Sequence, residues 1–330
     1  MENKKEKIAA VVVTYNRKEL LKECLDALLA QTHPLDSIIL IDNASTDGTP
    51  EFLKEKGFLD NPKIDYVRLS ENSGGAGGFY EGMKRGYEKG FDWLWLMDDD
   101  AKPANDALEK LCMTTSSTST PENLCFYSAY MSPDGKRFTE PIGIVEGNQT
   151  ISYLELKEIL KHRVIEGTGG PFLGFLLPRR VVEQVGLPRN DTFIWGDYEY
   201  LFRIRESGFK IYYNFNSIIW HPPHTWKGIS LPYGLFKLRR PIMRQLLVPL
   251  GPSWKEYYCF RNRVYFSIRL RKLNFLQLVK NFIKITISAF IHMLIVIYYT
   301  SDDSRIKMAK YCLKGIWDGL WGKMGITVKP

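Results

Sequence analysis

The sequence predicts an α/β fold: a mostly parallel sheet with helices on both faces, followed by a basic, amphipathic helical region. Three observations carry this. Over the first hundred residues, short unbroken apolar runs alternate with segments of helical periodicity, the pattern of a sheet covered on both sides. Each apolar run ends in a polar cluster, which is where ligands bind in such sheets. Beyond Trp226 the pattern changes to long helical segments rich in Arg, Lys and aromatics, with 19 Lys and Arg against four Asp and Glu from Lys227 onward. Two regions are therefore expected, 1–226 and 227–330, with net charges of −7 and +15.

In chain order, IAAVVVTY is a β-branched apolar run, and KELLKECLDALLAQ carries Leu20, Leu21, Cys24, Leu25, Leu28 and Leu29 at helical spacing. SIILIDN reads as a second strand, Gly48 to Lys56 as a helix, and IDYVRLS as a third strand. A glycine-rich turn follows, then a helix near FYEGMKRGYEKG, the strand WLWLM, and a helix from NDALEKL. Residues 113–123 form a Ser/Thr-rich connection, and 131–170 read as a less regular insertion bordering the site. GGPFLGFLLPRRVVEQVGLP and the stretch from Asp191 to Trp226 supply a second apolar block. No internal repeat is present.

A chain of 330 residues with 45% hydrophobic and 25% charged content can bury a sizeable core. Its five cysteines form no C-x-x-C pair, and their odd number excludes a complete disulfide framework, so a reducing compartment is expected. The opening MENKKEKIAAVVVTYNRKE is too weakly apolar for a signal segment and reads as a solvated leader into the first strand.

The densest chemistry lies in FDWLWLMDDDAKP, where an apolar strand ends in Asp98, Asp99 and Asp100. Three adjacent carboxylates repel one another, and a hard divalent cation shared with substrate phosphates would relieve them. A solvated acidic turn capping the next helix is the alternative. In DNASTDGT, Asp42 closes a strand and can accept hydrogen bonds from a base or ribose, or act as a simple cap. NSGGAGG lets the backbone approach a ligand closely ahead of a helix whose free amides favour anions, although it matches neither common phosphate-loop pattern. WGDYEY offers Asp197 and Glu199 in partly apolar surroundings that can raise a carboxylate's pKa for general-base work, or as first-turn residues of a helix. SIIWHPPHTW puts His221 at a strand end with His224 close behind, where a metal or phosphate contact competes with ordinary packing.

Taken in order over about residues 8–226, VVVTYNR, LLAQT, IDNASTDGT, NSGGAGGF, LMDDDA, WGDYEYLFRIRESGFKI and IWH resemble the inverting family 2 glycosyltransferases of GT-A fold. NSGGAGGF with the triple aspartate and the Trp-x-Asp-x-Glu segment most resembles bacterial galactofuranosyltransferases. Rhamnosyltransferases share most other features, including YYCFRNRVYF and the DGLWGKMG type of ending. The resemblance implies that Thr14, Arg17 and Asp42 hold the nucleotide, and that Gly74, Gly75, Asp98 and Asp99 join the donor site. It implies a Mn²⁺ or Mg²⁺ ion on Asp98, Asp100 and His221, with His224 in reserve, and Asp197 as catalytic base. Gly196 departs from the pattern, since acidic pairs are common there. Alternation of strand side chains sends Asp98 and Asp100 toward metal and donor and Asp99 elsewhere. Trp195 and Glu199 are expected to border the acceptor.

The chemistry implied needs a cation to stabilise the departing nucleoside diphosphate and a carboxylate to deprotonate the acceptor hydroxyl. UDP-galactofuranose is the favoured donor, dTDP-rhamnose the runner-up, and a polyprenyl-diphosphate-linked glycan the expected acceptor. A sugar nucleotidyltransferase and a non-catalytic sugar-nucleotide-binding module are the other classes, the latter disfavoured because the triple aspartate and Asp197 are both retained. In the tail, the apolar stretch Ile285 to Tyr299 is short of the roughly 20 residues a bilayer span needs. A helix lying in an anionic interface on the cytoplasmic face of the membrane fits it, with a homo-oligomer interface or packing on the catalytic region as alternatives. Nucleic-acid binding is excluded by the large aliphatics interleaved with the cations.

Overall fold

The computed structural model describes residues 6–132, 142–146, 149–153, 164–222, 253–269 and 304–328, with scattered helical positions between 276 and 290. His224, the whole stretch from Lys227 to Gly251 and most of Ile285 to Tyr299 lie outside the described residues.

The first strand, β1 (Ile8–Thr14), is an unbroken run of small and β-branched side chains, and all seven residues are buried. Helix α1 (Lys18–Leu29) leads to β2 (Ser37–Asp42), and α2 (Thr49–Glu55) to β3 (Ile64–Arg68). Helix α3 (Gly74–Glu88) leads to β4 (Trp93–Asp98). These four strands are parallel, with β1 between β2 and β4: Val13 pairs with Ile41 on one side and Asp98 on the other, and Thr14 with Asp42. The register brings Thr14, Asp42 and Asp98 to one edge, the carboxyl ends of the strands.

After β5 (Lys102–Pro103) and α4 (Ala107–Ser116) come β6 (Leu124–Met131), β7 (Ile142–Glu146), β8 (Gln149–Tyr153), β9 (Val164–Gly169) and β10 (Phe175–Pro178). Helices α5 (Arg179–Val185) and α6 (Gly196–Glu206) precede β11 (Lys210–Trp220). The strand order is β3-β2-β1-β4-β10-β6-β11-β9-β7-β8, with β5 pairing on β11. Past β4 the sheet turns mixed, since β10 runs antiparallel to β4 and β6, while β11 runs parallel to β6. The stretch 131–170, read from sequence as irregular, contributes three antiparallel strands beyond β11 instead. Its weak apolar signal suits an outer part of the sheet better than a central one.

The glycine-rich run corrects a second expectation. It is the first turn of α3 rather than a loop ahead of it, and Gly74 alone among its glycines has φ in the left-handed range, at +72°. Farther along, a Cβ on Gly78, Gly82 or Gly86 would come within 2.4, 2.3 and 2.5 Å of Val13, Val11 and Leu94. The i, i+4, i+8 spacing lays a side-chain-free ridge along the sheet, so these glycines serve close packing.

The described residues form two compact units. One holds those up to Asn190 and from Gly196 to Pro222; the other holds Asp191–Trp195 and the described residues from Ser253 on. The short Asp191–Trp195 segment thus groups with the tail, where the sequence placed it with the first region. In this second unit α7 (Ser253–Arg269) packs against α8 (Ser304–Trp321). Contact is close because Gly315 and Gly319 face the backbone of α7 at Tyr257 and Arg261. The buried Arg261 guanidinium donates to the carbonyls of Gly325, Asp191 and Thr192, at 2.5, 3.2 and 2.7 Å. Asn262 Nδ2 donates to Thr192 and Ile194. All five cysteines are free thiols.

Candidate active site

The polar ends of β1, β2 and β4 meet around the three aspartates. Asp98 lies in register with Val13 and shares the α3 face of the sheet; Asp99, one residue on, turns to the opposite face. There its buried carboxylate accepts from Thr14 Oγ1 at 2.7 Å, from the Tyr15 amide at 3.4 Å and from Arg17 Nη1 at 3.3 Å. Asp99 is therefore the anchor of the loop after β1, turned away from Asp98 but sharing the Arg17 guanidinium with Asp100. Arg17 Nη1 also donates to Asp100 Oδ2 at 2.7 Å.

Asp100 meets His221 because of β5. Two residues of β5 pair with the end of β11, Trp220 opposite Lys102, and the His221 amide donates to the Met131 carbonyl at 2.9 Å. The imidazole Nε2 thereby reaches 3.4 Å from Asp100 Oδ1, an oxygen that accepts no hydrogen bond among the described residues. Asp197 sits in the first turn of α6, near enough to Asp98 for the two carboxylates to repel.

Electrostatics follow from this crowding. Burial, then the charges of Asp100 and Asp99, hold Asp98 well above the usual carboxylate range. Burial raises Asp99 to about 6 against the opposing pull of Arg17 and Thr14. Burial acts on Asp100 in the same direction, but the nearby His221 and Arg17 outweigh it and leave Asp100 below its ordinary value. Among the described residues a single guanidinium, that of Arg17, pairs with two of the three carboxylates, so the site favours further positive charge.

The donor set suits a hard divalent ion: a buried carboxylate oxygen with no hydrogen bond, facing an imidazole nitrogen, beside two more carboxylates. Among the described residues no three His, Cys, Asp or Glu side chains close into a complete metal cage. An ion held by Asp100 and His221 would therefore take its remaining ligands from elsewhere, as Mg²⁺ and Mn²⁺ commonly do from substrate phosphates.

The other expected residues are distributed unevenly. Asp42 is fully buried at the end of β2, where Oδ1 accepts from the Ser45 amide at 2.8 Å and Oδ2 from Tyr66 Oη at 2.7 Å, with Arg68 Nε 3.7 Å away. Gly74 is bound to this strand end through Asn43, whose Nδ2 donates to the Gly74 carbonyl and whose Oδ1 accepts from Ser73. Gly75 faces open space, with no atom within 4 Å of where a Cβ would stand. Trp195 is exposed, with φ of +56°, and belongs to the second unit.

Glu199 departs from expectation. It is 2% exposed and chelates Arg203 one turn on, at 2.6 and 3.1 Å. Arg203 in turn donates to the carbonyls of Val185 and Leu187. A residue so enclosed fastens α6 to the chain after α5 and is not placed to meet an acceptor. Asn16, Asn43, Ser45 and Tyr66 were missed by sequence reasoning; the first three carried a signal in their position just past strand ends within TYNR and DNAS, whereas Tyr66 stands in the middle of β3 and carried none.

The family model described as Glycosyl transferase family 2 matches residues 9–120. The galactofuranosyltransferase GlfT1 of Mycolicibacterium smegmatis is 29% identical over 279 residues, covering 81% of this chain and 86% of that protein. GlfT1 of Mycobacterium tuberculosis is 30% identical over 275 residues, covering 81% and 85%. Among solved structures, GalNAc-T7 with UDP, GalNAc and Mn²⁺ aligns with a TM-score of 0.53 at 16% identity, over 86% of this chain and 55% of that one, a likeness of fold. A strand-end site of this form and relatives alike over nearly their whole length lead to one conclusion: the chain belongs to glycosyl transferase family 2.

Proposed function

We propose that this family 2 glycosyltransferase moves galactofuranose from UDP-galactofuranose, with inversion, onto a hydroxyl of a lipid-linked glycan in bacterial surface-polysaccharide synthesis. The observation that carries the reading is the convergence of Asp98, Asp100, His221 and Asp197 at the carboxyl edge of the sheet, beside Thr14 and Arg17. The likeness to the GlfT1 galactofuranosyltransferases supports the donor.

Asp100 and His221, with Asp98 nearby, would hold Mn²⁺ or Mg²⁺, which as a Lewis acid neutralises charge building on the departing UDP. Arg17, half exposed and already turned to this site, adds a second positive group for the diphosphate. Asp42, Thr14 and the first turn of α3 would border the nucleoside and donor sugar. Asp197 takes the proton from the acceptor hydroxyl as the new bond forms, which accounts for a carboxylate kept close to the donor motif. Among the described residues no helix is long and apolar enough to cross a membrane, and the basic second unit suits attachment at the cytoplasmic membrane surface.

The test is UDP release from UDP-galactofuranose with a polyprenyl-linked glycan extract, in wild type and Asp197→Asn. The variant is expected to lose about 10²- to 10⁴-fold in turnover while binding UDP as before. dTDP release from dTDP-rhamnose would transfer the mechanism to another sugar, and unchanged turnover in the variant would remove Asp197 from its role.

A further inference from the structure

Helix α8 has two apolar faces, of which α7 takes one. Met308 and Cys312 are buried beside Phe260, and Gly315 and Gly319 lie on the backbone of α7. At about 100° per residue, Ile306, Leu313, Trp317 and Trp321 gather on the other side. There they stay exposed, the two indoles at 57% and 64% with ring centroids 5.7 Å apart. Lys307 and Lys314 run along one edge of this stripe, Lys310 falls between its two indoles, and Lys323 follows its end; all four are exposed. The one acid between Ser304 and Val328, Asp318, is 3% exposed and paired with Lys314, so no carboxylate shows on this face.

We propose that this stripe is the surface by which the chain lies on anionic lipid, which deepens the reading of a transferase working at a membrane. Indoles combine an apolar body with a polar N–H and settle at the headgroup boundary, while lysines bury their stems and keep the ammonium at the phosphates. A second copy of the chain fits less well, because a two-fold contact would set this lysine edge against itself. The same unit repeats the design: Leu276, Ile283, Ile287 and Phe290 recur at helical spacing, are exposed, and are interspersed with Lys280 and Lys284.

The test uses the full chain with phosphatidylcholine vesicles, with and without phosphatidylglycerol, read by co-sedimentation and by tryptophan quenching from acyl-brominated lipid. No donor or acceptor is present, so failure of the glycosyltransfer reading leaves the measurement intact. Binding is expected to require the anionic lipid, and quenching to fall sharply in Trp317→Phe/Trp321→Phe. Replacing Lys307, Lys310 and Lys323 by Gln together is expected to weaken binding about a hundred-fold, roughly five-fold for each cation lost. Binding without quenching at these indoles would overturn the proposal. So would a monomer-dimer shift in Leu313→Ser/Trp317→Ser, by sedimentation velocity, with vesicle binding unchanged.

Discussion

His221 Nε2 lies 3.4 Å from Asp100 Oδ1, two groups 121 positions apart that are brought together by the two-residue pairing of β5 on the end of β11. If this pair holds the ion, His221→Ala and Asp100→Asn each weaken Mn²⁺-dependent UDP binding by at least about ten-fold. Calorimetric titration of UDP with Mn²⁺ and with chelator checks this. Wild type with chelator should resemble either variant, and equal UDP affinity in all three would remove the metal from donor binding.

Glu199 and Arg203 form a largely enclosed pair, so Glu199→Ala leaves a guanidinium without its counter-charge. The expected loss is about 3 kcal/mol of stability, with Michaelis constants for donor and acceptor unchanged in the folded fraction. Denaturant unfolding together with steady-state kinetics separates the two effects, and a raised acceptor KM at unchanged stability would restore Glu199 to the acceptor site.

On the glycine ridge, Gly82→Ala improves helix propensity by up to about 1 kcal/mol but places a methyl 2.3 Å from Val11 Cγ1. Overpacking of this kind costs about 1–3 kcal/mol, so the variant should be the less stable protein. Gly75→Ala, with open space around it, is the control, and the two melting temperatures should move differently.

Asp65 on β3 receives Arg85 and Lys89 from the end of α3, and the Arg85 hydrogen bond is the largest cause holding its pKa below 3.8. A folded value below the unfolded one means this contribution is fully present above about 4 and is lost as pH falls through the folded pKa. Asp65→Asn should therefore melt below wild type at pH 7, and the gap should close on acidification below pH 4. A gap that persists in acid would show that packing, rather than charge, sets the effect.

Strands β1, β2 and β4 were legible because each holds an unbroken apolar run, and parallel pairing buries both faces of the sheet. The triplet was legible as a concentration of like charge. What the sequence concealed was which partner each carboxylate meets: Thr14 and Asp99 are 85 positions apart, and alternation says that Asp99 turns away without saying toward what. Glycine concealed more, since one residue type serves both turns and close approach. Only the spacing of Gly78, Gly82 and Gly86 hints at packing, and their neighbours Val11, Val13 and Leu94 lie on other elements. Glu199 was open to a better reading, because Glu and Arg four apart in a helix are the commonest ion-pair spacing.

Six of the fifteen residues of α3 are glycine, and each disfavours a free helix by about 1 kcal/mol relative to alanine. A segment of that composition does not hold helical structure on its own in water. It becomes a helix by docking on β1, β2 and β4, so its formation must follow the pairing of those strands. In kinetic terms α3 is a late element, expected to give φ-values near zero at its exposed positions while β1 gives high ones. The segment whose first turn is proposed to border the donor is thus ordered by the sheet, and loosening β1 would unwind it before the rest of the unit opened.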